Sequence, residues 1–136
     1  MMKLKKTLFL CLLSLTFVVS GCGPKQPYPI VPVEGTASWQ GKTLPKNFII
    51  VFQPEDGSPE SKGYLKRDDG SFQMLHTPQF DGVRTGASKV YVLWGLQGTE
   101  PVPKEYKDLI AKYSTPQTGI QVQVTKKDLN MKIDFP

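Results

Sequence analysis

The sequence predicts an all-β protein whose mature part is a seven-stranded β-sandwich. Short runs rich in β-branched and aromatic residues recur from Val33 to Pro136, separated by Gly, Pro, Asn or Asp residues. The last two runs alternate between apolar and polar side chains, as strands do when one face meets a core and the other meets water. A basic and then apolar N-terminus indicates that a targeting segment precedes this domain.

The N-terminus has the features of a cleavable signal peptide. Three lysines within the first six residues precede an uncharged apolar run from Leu8 to Val19. This run is shorter than the ~20 apolar residues that a membrane-spanning helix needs. The small residues Ser20 and Gly21 follow, directly before Cys22, and small residues are typical of a cleavage site. We therefore predict a signal peptide over residues 1–21.

The four residues from Val19 to Cys22 resemble the lipobox of bacterial lipoproteins. This resemblance implies that Cys22 is the lipidation site, because its thiolate is the nucleophile that takes up a diacylglycerol group. Two acyl chains hold a protein stably at a bilayer, whereas a single chain binds only marginally. Gly23 stands where some inner-membrane lipoproteins have Asp, which favours the outer membrane. The predicted location is therefore the cell envelope, with the membrane as partner through the Cys22 lipid.

Composition argues against several classes of function. The net charge of +5 falls to +2 when the three signal-peptide lysines are removed, and the remaining lysines are interleaved with acids. A nucleic-acid partner would need a basic stripe, so we expect none. Cys11 leaves with the signal peptide and Cys22 takes the lipid, which leaves no thiol for a disulfide or a metal. We predict a monomer without cofactors.

Three segments follow in order: the signal peptide over residues 1–21, a lipidated tether over 22–32 and a β-sandwich domain over 33–136. Four prolines between Gly23 and Pro32 exclude a helix and favour an extended tether. At ~3.1 Å per residue, such a tether holds the domain up to roughly 30 Å from the bilayer.

The strands are predicted from short apolar runs, and one helix is predicted from its spacing. The run from Asn47 to Gln53 is apolar on both faces and should lie at the centre of the core. Asp68, Asp69 and Gly70 should form the turn of a hairpin, residues 76–86 a loop, and Pro103 the start of about two helical turns. The predicted strands are residues 33–39, 47–53, 63–66, 71–75, 89–94, 120–124 and 129–135.

Several turn motifs, in their order and spacing, resemble carboxypeptidase regulatory-like domains of small bacterial surface lipoproteins. The motifs are Val33 to Thr36, Gln40 to Pro45, Phe52 to Gly57, Asp69-Gly70-Ser71-Phe72, Asp81-Gly82-Val83 followed by Gly86, Val102 to Tyr106 and Thr118 to Val122. The resemblance covers nearly all of the mature chain. It implies an immunoglobulin-like, transthyretin-like sandwich of seven strands and no catalytic activity.

The titratable residues offer little for catalysis or metal binding. The only histidine is His76, which we expect in a solvated loop, and no cysteine nucleophile remains. A hydrolase built from Ser71, His76 and Asp81 is the most remote alternative. One histidine cannot supply a two-histidine iron site, and turn formation accounts for Asp68 and Asp69 better than calcium binding does. We expect a protein that is not an enzyme.

Aromatic residues are the better candidates for binding, because their rings could form a platform on which sugars stack; the candidates are Trp39, Tyr64, Tyr91, Trp94 and Tyr106. Trp94 ends a strand directly before a glycine-containing loop, and Tyr106 lies in the long connection that follows. We expect a structural or adhesive module that contacts an envelope protein or glycan, with a carbohydrate- or small-ligand-binding protein as the alternative. A concave patch containing Trp94 and Tyr106 would favour ligand binding, whereas burial of both rings would favour a structural module.

The lipid anchor is open to a direct test. We predict that Cys22→Ser leaves an uncleaved or soluble secreted protein, because serine lacks the nucleophilicity of a thiolate. Cells fed labelled palmitate should incorporate the label into the wild-type chain and into the control Cys11→Ser, whose cysteine leaves with the signal peptide. Incorporation of the label into Cys22→Ser would contradict the prediction.

Overall fold

The computed structural model describes residues 27–77, 80–95, 100–126 and 130–136. Cys22 and the predicted signal peptide lie outside the described residues. Within these ranges the helix α1 spans Lys107–Tyr113, between 3-10 turns at Lys104–Tyr106 and Pro116–Thr118. The strands are β1 (Ile30–Val31), β2 (Glu34–Trp39), β3 (Lys42–Thr43), β4 (Phe48–Pro54), β5 (Ser61–Tyr64), β6 (Ser71–Thr77), β7 (Phe80–Asp81), β8 (Val83–Arg84), β9 (Gly86–Trp94), β10 (Ile120–Val124) and β11 (Asn130–Phe135).

Nine strands form one curled sheet, in which seven follow the order β10-β9-β4-β5-β6-β2-β11, while β3 pairs with β2 and β7 pairs with β6. All neighbours are antiparallel except β11, which runs parallel to β2. The curl occurs along β6, because Ser71 to Gln73 pair with β2 whereas Met74 and Leu75 pair with β5. One strand thereby belongs to both layers, and the predicted all-β sandwich is confirmed.

Strand β4 is the centre of the sheet and of the core. It pairs with β5 on one side and with β9 on the other. Phe48, Ile50 and Phe52 are fully buried in the main core, whereas Ile49 and Val51 point the opposite way into a second apolar cluster. Both faces of this strand are therefore covered, as its uninterrupted apolar run predicted.

The predicted helix forms and lies against the core. Leu109 and Tyr113 are buried, and Tyr106 and Ile110 pack against the same cluster. The Tyr113 ring lies 5.2 Å from that of Phe135 at the end of β11, and its hydroxyl donates to the Pro136 carbonyl at 3.0 Å. Since α1 also contacts β9, the helix connects two strands that are distant in the sheet order.

The structure differs from the predicted elements at four places, the first of which is the short strand β3, where no strand was predicted. Strand β5 begins two residues before the predicted strand, at Ser61. The predicted loop over residues 76–86 contains the end of β6 together with β7, β8 and the start of β9. Ile30 and Val31, within the predicted tether, pair with β8. Two-residue strands have no measurable periodicity, so a pattern of apolar residues does not reveal them.

The parallel contact between β2 and β11 depends on one residue without a side chain. A methyl group on Gly35 would overlap the carbonyl oxygen of Met131, the residue opposite it in β11. This is a close approach of two backbones, for which only glycine is small enough.

We predict that Gly35→Ala lowers the free energy of unfolding by roughly 1–3 kcal/mol, because the backbone of β11 must move to admit the methyl group. Urea denaturation followed by tryptophan fluorescence measures this loss. The control Thr36→Ala changes the next residue of the same strand, whose side chain is exposed, and should stay within about 0.5 kcal/mol of wild type. Equal stability of both variants would contradict the prediction.

Candidate functional site

The outer face of the sheet carries an apolar patch that is separate from the main core. Ile49, Val51 and Tyr91 form a second buried cluster there, and the half-buried rings and side chains of Tyr64 and Leu93 pack against it. These residues alternate with the core-facing residues of β4, β5 and β9. We call this set the outer patch.

Three shallow grooves meet at Tyr64 in the outer patch. The first, of about 450 Å³, runs from Tyr64 past Leu93 and Trp94 to Ile110 on α1. Its polar lining comes from Lys62, Glu100 and Ser114. A groove of this kind combines ring surface with hydrogen-bond donors and acceptors, which small-molecule sites require.

The other two grooves lie next to Leu75. Both are lined by Leu75 and by Tyr64. Leu75 is 39% exposed, and it is the one large apolar side chain in the described part of the chain that is classed as exposed. One groove adds Lys66 and Arg67, and the other adds Lys62. The outer patch is therefore an apolar centre with a charged rim.

A hydrogen bond from Tyr91 connects the charged rim to the outer patch. The Tyr91 hydroxyl donates to the Glu60 carboxylate at 2.8 Å, and Lys62 forms an ion pair with the same carboxylate at 3.4 Å. Burial, together with the bond to Glu60, raises the pKa of the Tyr91 hydroxyl well above its usual value. Tyr91 therefore stays protonated at physiological pH and acts as a fixed donor.

The two aromatic residues predicted as a binding pair lie around Phe48. The Trp94 and Tyr106 rings make edge contacts with the Phe48 ring, at centroid distances of 4.8 Å and 5.1 Å. Tyr106 also packs on Trp39 at 6.1 Å. Trp94 lines the first groove together with Tyr64, whereas Tyr106 is not among its lining residues. The first groove thus contains one ring of the predicted pair, Trp94, together with Tyr64, which was among the wider set of aromatic candidates but was not preferred.

The side chain of His76 lies inside the domain, and the expectation of a solvated loop histidine was wrong. His76 is on β6, 8% exposed, in the inward series that begins with Phe72 and Met74. Its Nδ1 atom is 2.8 Å from the Ser61 hydroxyl, and its Nε2 atom is 2.8 Å from the Tyr28 hydroxyl. Burial lowers the pKa of His76, which favours the neutral ring.

These hydrogen bonds differ from the triad considered for a hydrolase. Ser71 bonds to Asp69 in the turn before β6, and Asp81 lies exposed on β7. The serine that does contact His76, Ser61, is 1% exposed, so a substrate has no access to its hydroxyl. The alternation of apolar and polar residues along β6 places His76 on the apolar face, so its burial could have been predicted from the sequence. No local pattern indicated its hydrogen bond to Tyr28, which is 48 residues away.

The aspartates considered for calcium take part in turns. Asp69 accepts a hydrogen bond from the Ser71 amide at 3.0 Å, and Asp68 accepts one from the Lys46 amide at 3.1 Å. The bonds from Ser71 lower the pKa of Asp69. Over the described ranges, no group of three His, Cys, Asp or Glu side chains converges as metal ligands would. The described helices also include none with the length and apolar character needed to cross a membrane.

Two buried serines provide a matched test of these contacts. Ser61 is bonded to His76, whereas the buried hydroxyl of Ser88 has no partner in the described structure. We predict that Ser61→Ala costs about 1–3 kcal/mol of unfolding free energy, because it leaves a buried ring nitrogen unpaired. Ser88→Ala should be neutral or stabilising, because it removes an unpaired buried hydroxyl. Urea denaturation measures the unfolding free energy of both variants. A larger loss of unfolding free energy for Ser88→Ala than for Ser61→Ala would contradict the prediction.

No protein-family model, no curated protein and no solved structure matches this chain. The relation to carboxypeptidase regulatory-like domains therefore stays a prediction from motif order and spacing.

Proposed function

We propose that this chain is a lipid-anchored module of the bacterial cell envelope, whose β-sandwich has a structural or adhesive role and performs no catalysis. The observation that carries the proposal is the N-terminal pattern of lysines, a short apolar run and small residues that ends at Cys22. The first strand of the domain begins at Ile30, soon after that cysteine. A chain built in this way displays a folded domain next to the membrane that holds its lipid.

The outer patch supports an adhesive role. An apolar centre of buried and half-buried side chains, with an exposed Leu75 and a charged rim, is the kind of surface that partner proteins cover. The centre lies on strands β4, β5, β6 and β9 and is therefore held rigidly. Rigid presentation lowers the entropy cost of binding, because few side chains must be ordered when the partner arrives.

A glycan is the second candidate partner, and the convergence of three grooves on Tyr64 favours it. An aromatic ring offers a flat apolar surface for the C–H face of a sugar, and Lys62, Glu100 and Gln73 offer hydrogen-bonding groups around it. The Trp94 ring lies in the same groove as Tyr64. Under this alternative the protein is a carbohydrate- or small-ligand-binding accessory protein.

Cross-linking in living cells tests the adhesive proposal and identifies the class of partner. We predict that a photoreactive diazirine amino acid in place of Leu75 captures a specific envelope component. The same amino acid in place of Gln123, an exposed residue of β10, should capture none. Mass spectrometry of the captured material distinguishes a protein from a glycan.

Three further variants test whether the captured component contacts the outer patch. Adding Tyr64→Ala or Trp94→Ala should reduce the yield at position 75 about tenfold, since aromatic residues at a contact centre commonly contribute more than 1 kcal/mol. Tyr106→Phe, which keeps its ring and lies outside the groove, should leave the yield unchanged. Equal yields from positions 75 and 123, or an unchanged yield with Tyr64→Ala, would exclude the outer patch as the contact surface.

A further inference from the structure

The segment from Tyr28 to Val31 is docked on the domain. Ile30 and Val31 pair with Arg84 and Val83 of β8, and the Thr85 amide donates to the Pro29 carbonyl at 3.2 Å. This segment begins six residues after Cys22. Among the described residues, this segment is the one nearest in sequence to the proposed lipid, and it is held against the β-sandwich.

Tyr28 makes the side-chain contacts that fix this segment. Its hydroxyl is bonded to Nε2 of His76, and the two rings meet edge to face at 5.6 Å. The Arg84 guanidinium lies over the Tyr28 ring at 4.3 Å, a cation–π contact. Arg84 is itself held by an ion pair with Asp56 at 2.8 Å and by a hydrogen bond to Ser58. One tyrosine is thus clamped between a cation and the only histidine.

His76 connects Tyr28 to the interior of the domain. Its other ring nitrogen contacts the Ser61 hydroxyl of β5, so its two nitrogens join the N-terminal segment to β5 and β6. Both partners are hydroxyl groups, which can donate or accept. A neutral imidazole donates from one nitrogen and accepts at the other, and this arrangement satisfies all three groups.

A protonated imidazole is disfavoured in the same place. Both nitrogens would then donate and the two hydroxyls could accept, but the added charge would be buried, and it would lie close to the Tyr28 ring that the Arg84 cation already contacts. Two of the three carboxylates nearby are already paired, and the third lies on the face of the sheet that points away from the ring. Asp56 is paired with Arg84, and Glu60, which lines a groove with His76, is bonded to both Tyr91 and Lys62. On β7, Asp81 is exposed and lies opposite Leu75.

Water reaches the charged ring more easily when the segment leaves. His76 lines the groove that also contains Glu60, Lys62 and Leu75, so solvent is close on that side. Release of Tyr28 uncovers the ring on its other side. Protonation is thus opposed in the docked state and permitted in the released state, so protons favour release.

We propose that Tyr28, His76 and Ser61 form a proton-sensitive clasp, which holds the membrane-proximal segment on the domain at neutral pH and releases it in acid. The clasp itself needs no lipid, and its effect on the distance to the membrane rests on the proposed function. With the clasp closed, the predicted tether has its five residues from 23 to 27 available and reaches about 16 Å at ~3.1 Å per residue. With the clasp open, Val31 remains in the main core, so the tether extends to Pro29 and reaches about 22 Å.

The sign of the pH dependence follows from the burial of His76. Burial lowers the pKa of the docked histidine below its usual value of 6.5, and the exposure that follows release of Tyr28 moves the pKa back toward that value. The docked state is therefore fully favoured above about pH 6.5 and loses this advantage as the pH falls toward the lowered pKa. Below the lowered pKa both states carry the proton, and the pH dependence ends.

Hydrogen exchange on the full-length lipoprotein in detergent micelles tests the clasp. The Thr85 amide, bonded to Pro29, is the reporter. After correction for intrinsic exchange, its protection should fall by up to about tenfold for each pH unit between 6.5 and the lowered pKa of His76. Amides of β4 should keep their protection over the same range. The ring protons of His76, followed by NMR, report its protonation in the same sample.

Three variants separate the clasp from general acid unfolding. His76→Gln keeps a hydrogen-bonding side chain without a titrating group, so the acid-induced loss at Thr85 should disappear. Tyr28→Phe removes only the hydroxyl and should expose Thr85 at neutral pH as well. The control Tyr113→Phe removes a bonded hydroxyl at α1 and should retain the wild-type acid response.

Two results would overturn the clasp: full Thr85 protection while His76 is protonated, or an acid response that persists in His76→Gln. The same measurement on Cys22→Ser, which carries no lipid under the proposed function, separates the two proposals. If the clasp opens there as in wild type but wild-type protein takes up no labelled palmitate, the lipoprotein proposal fails and the clasp stands.

Discussion

The burial of β4 on both faces is the constraint on which the rest of the structure depends. Phe48, Ile50 and Phe52 fill the space between the two layers, and Ile49 and Val51 require cover on the opposite side. The inner face is covered by a second layer of sheet and by α1. The outer face is covered mainly by neighbouring side chains such as Tyr64, Tyr91 and Leu93, which leaves an apolar surface open to a partner. The candidate site is thus a consequence of how the core is built.

The energies involved separate what holds the domain from what it can release. Each fully buried large apolar side chain contributes about 1.5–3 kcal/mol, and thirteen large apolar side chains in the described part of the chain are at most 1% exposed. A typical internal hydrogen bond contributes only about 1 kcal/mol. The core therefore determines whether the domain folds, whereas the few contacts of Tyr28 can open without loss of the sandwich. This difference allows a clasp at the N-terminus of a stable domain.

Much of the fold could be predicted from the sequence because its long elements have clear periods. The double apolar face of β4, the alternation of β10 and β11, and the helical spacing of Tyr106, Leu109, Ile110 and Tyr113 are local patterns that tertiary packing preserved. The short pair β1 and β8 has no pattern, and its partners are distant in sequence. The same holds for the site. Trp94 could be placed at a strand end beside a loop, but the convergence of grooves on Tyr64 depends on which strands lie side by side.

The clasp and the outer patch use neighbouring residues of the same two strands. On β5, Ser61 faces inward to His76, while Lys62 and Tyr64 face outward to the grooves. On β6, His76 and Leu75 are consecutive and therefore point to opposite faces, yet both line one groove at the edge of the strand. Because strands hold side chains more firmly than loops, the two sites have a fixed spacing. A substitution confined to the outward residues, such as Tyr64→Ala, therefore alters the patch while leaving the hydrogen bonds of His76 in place.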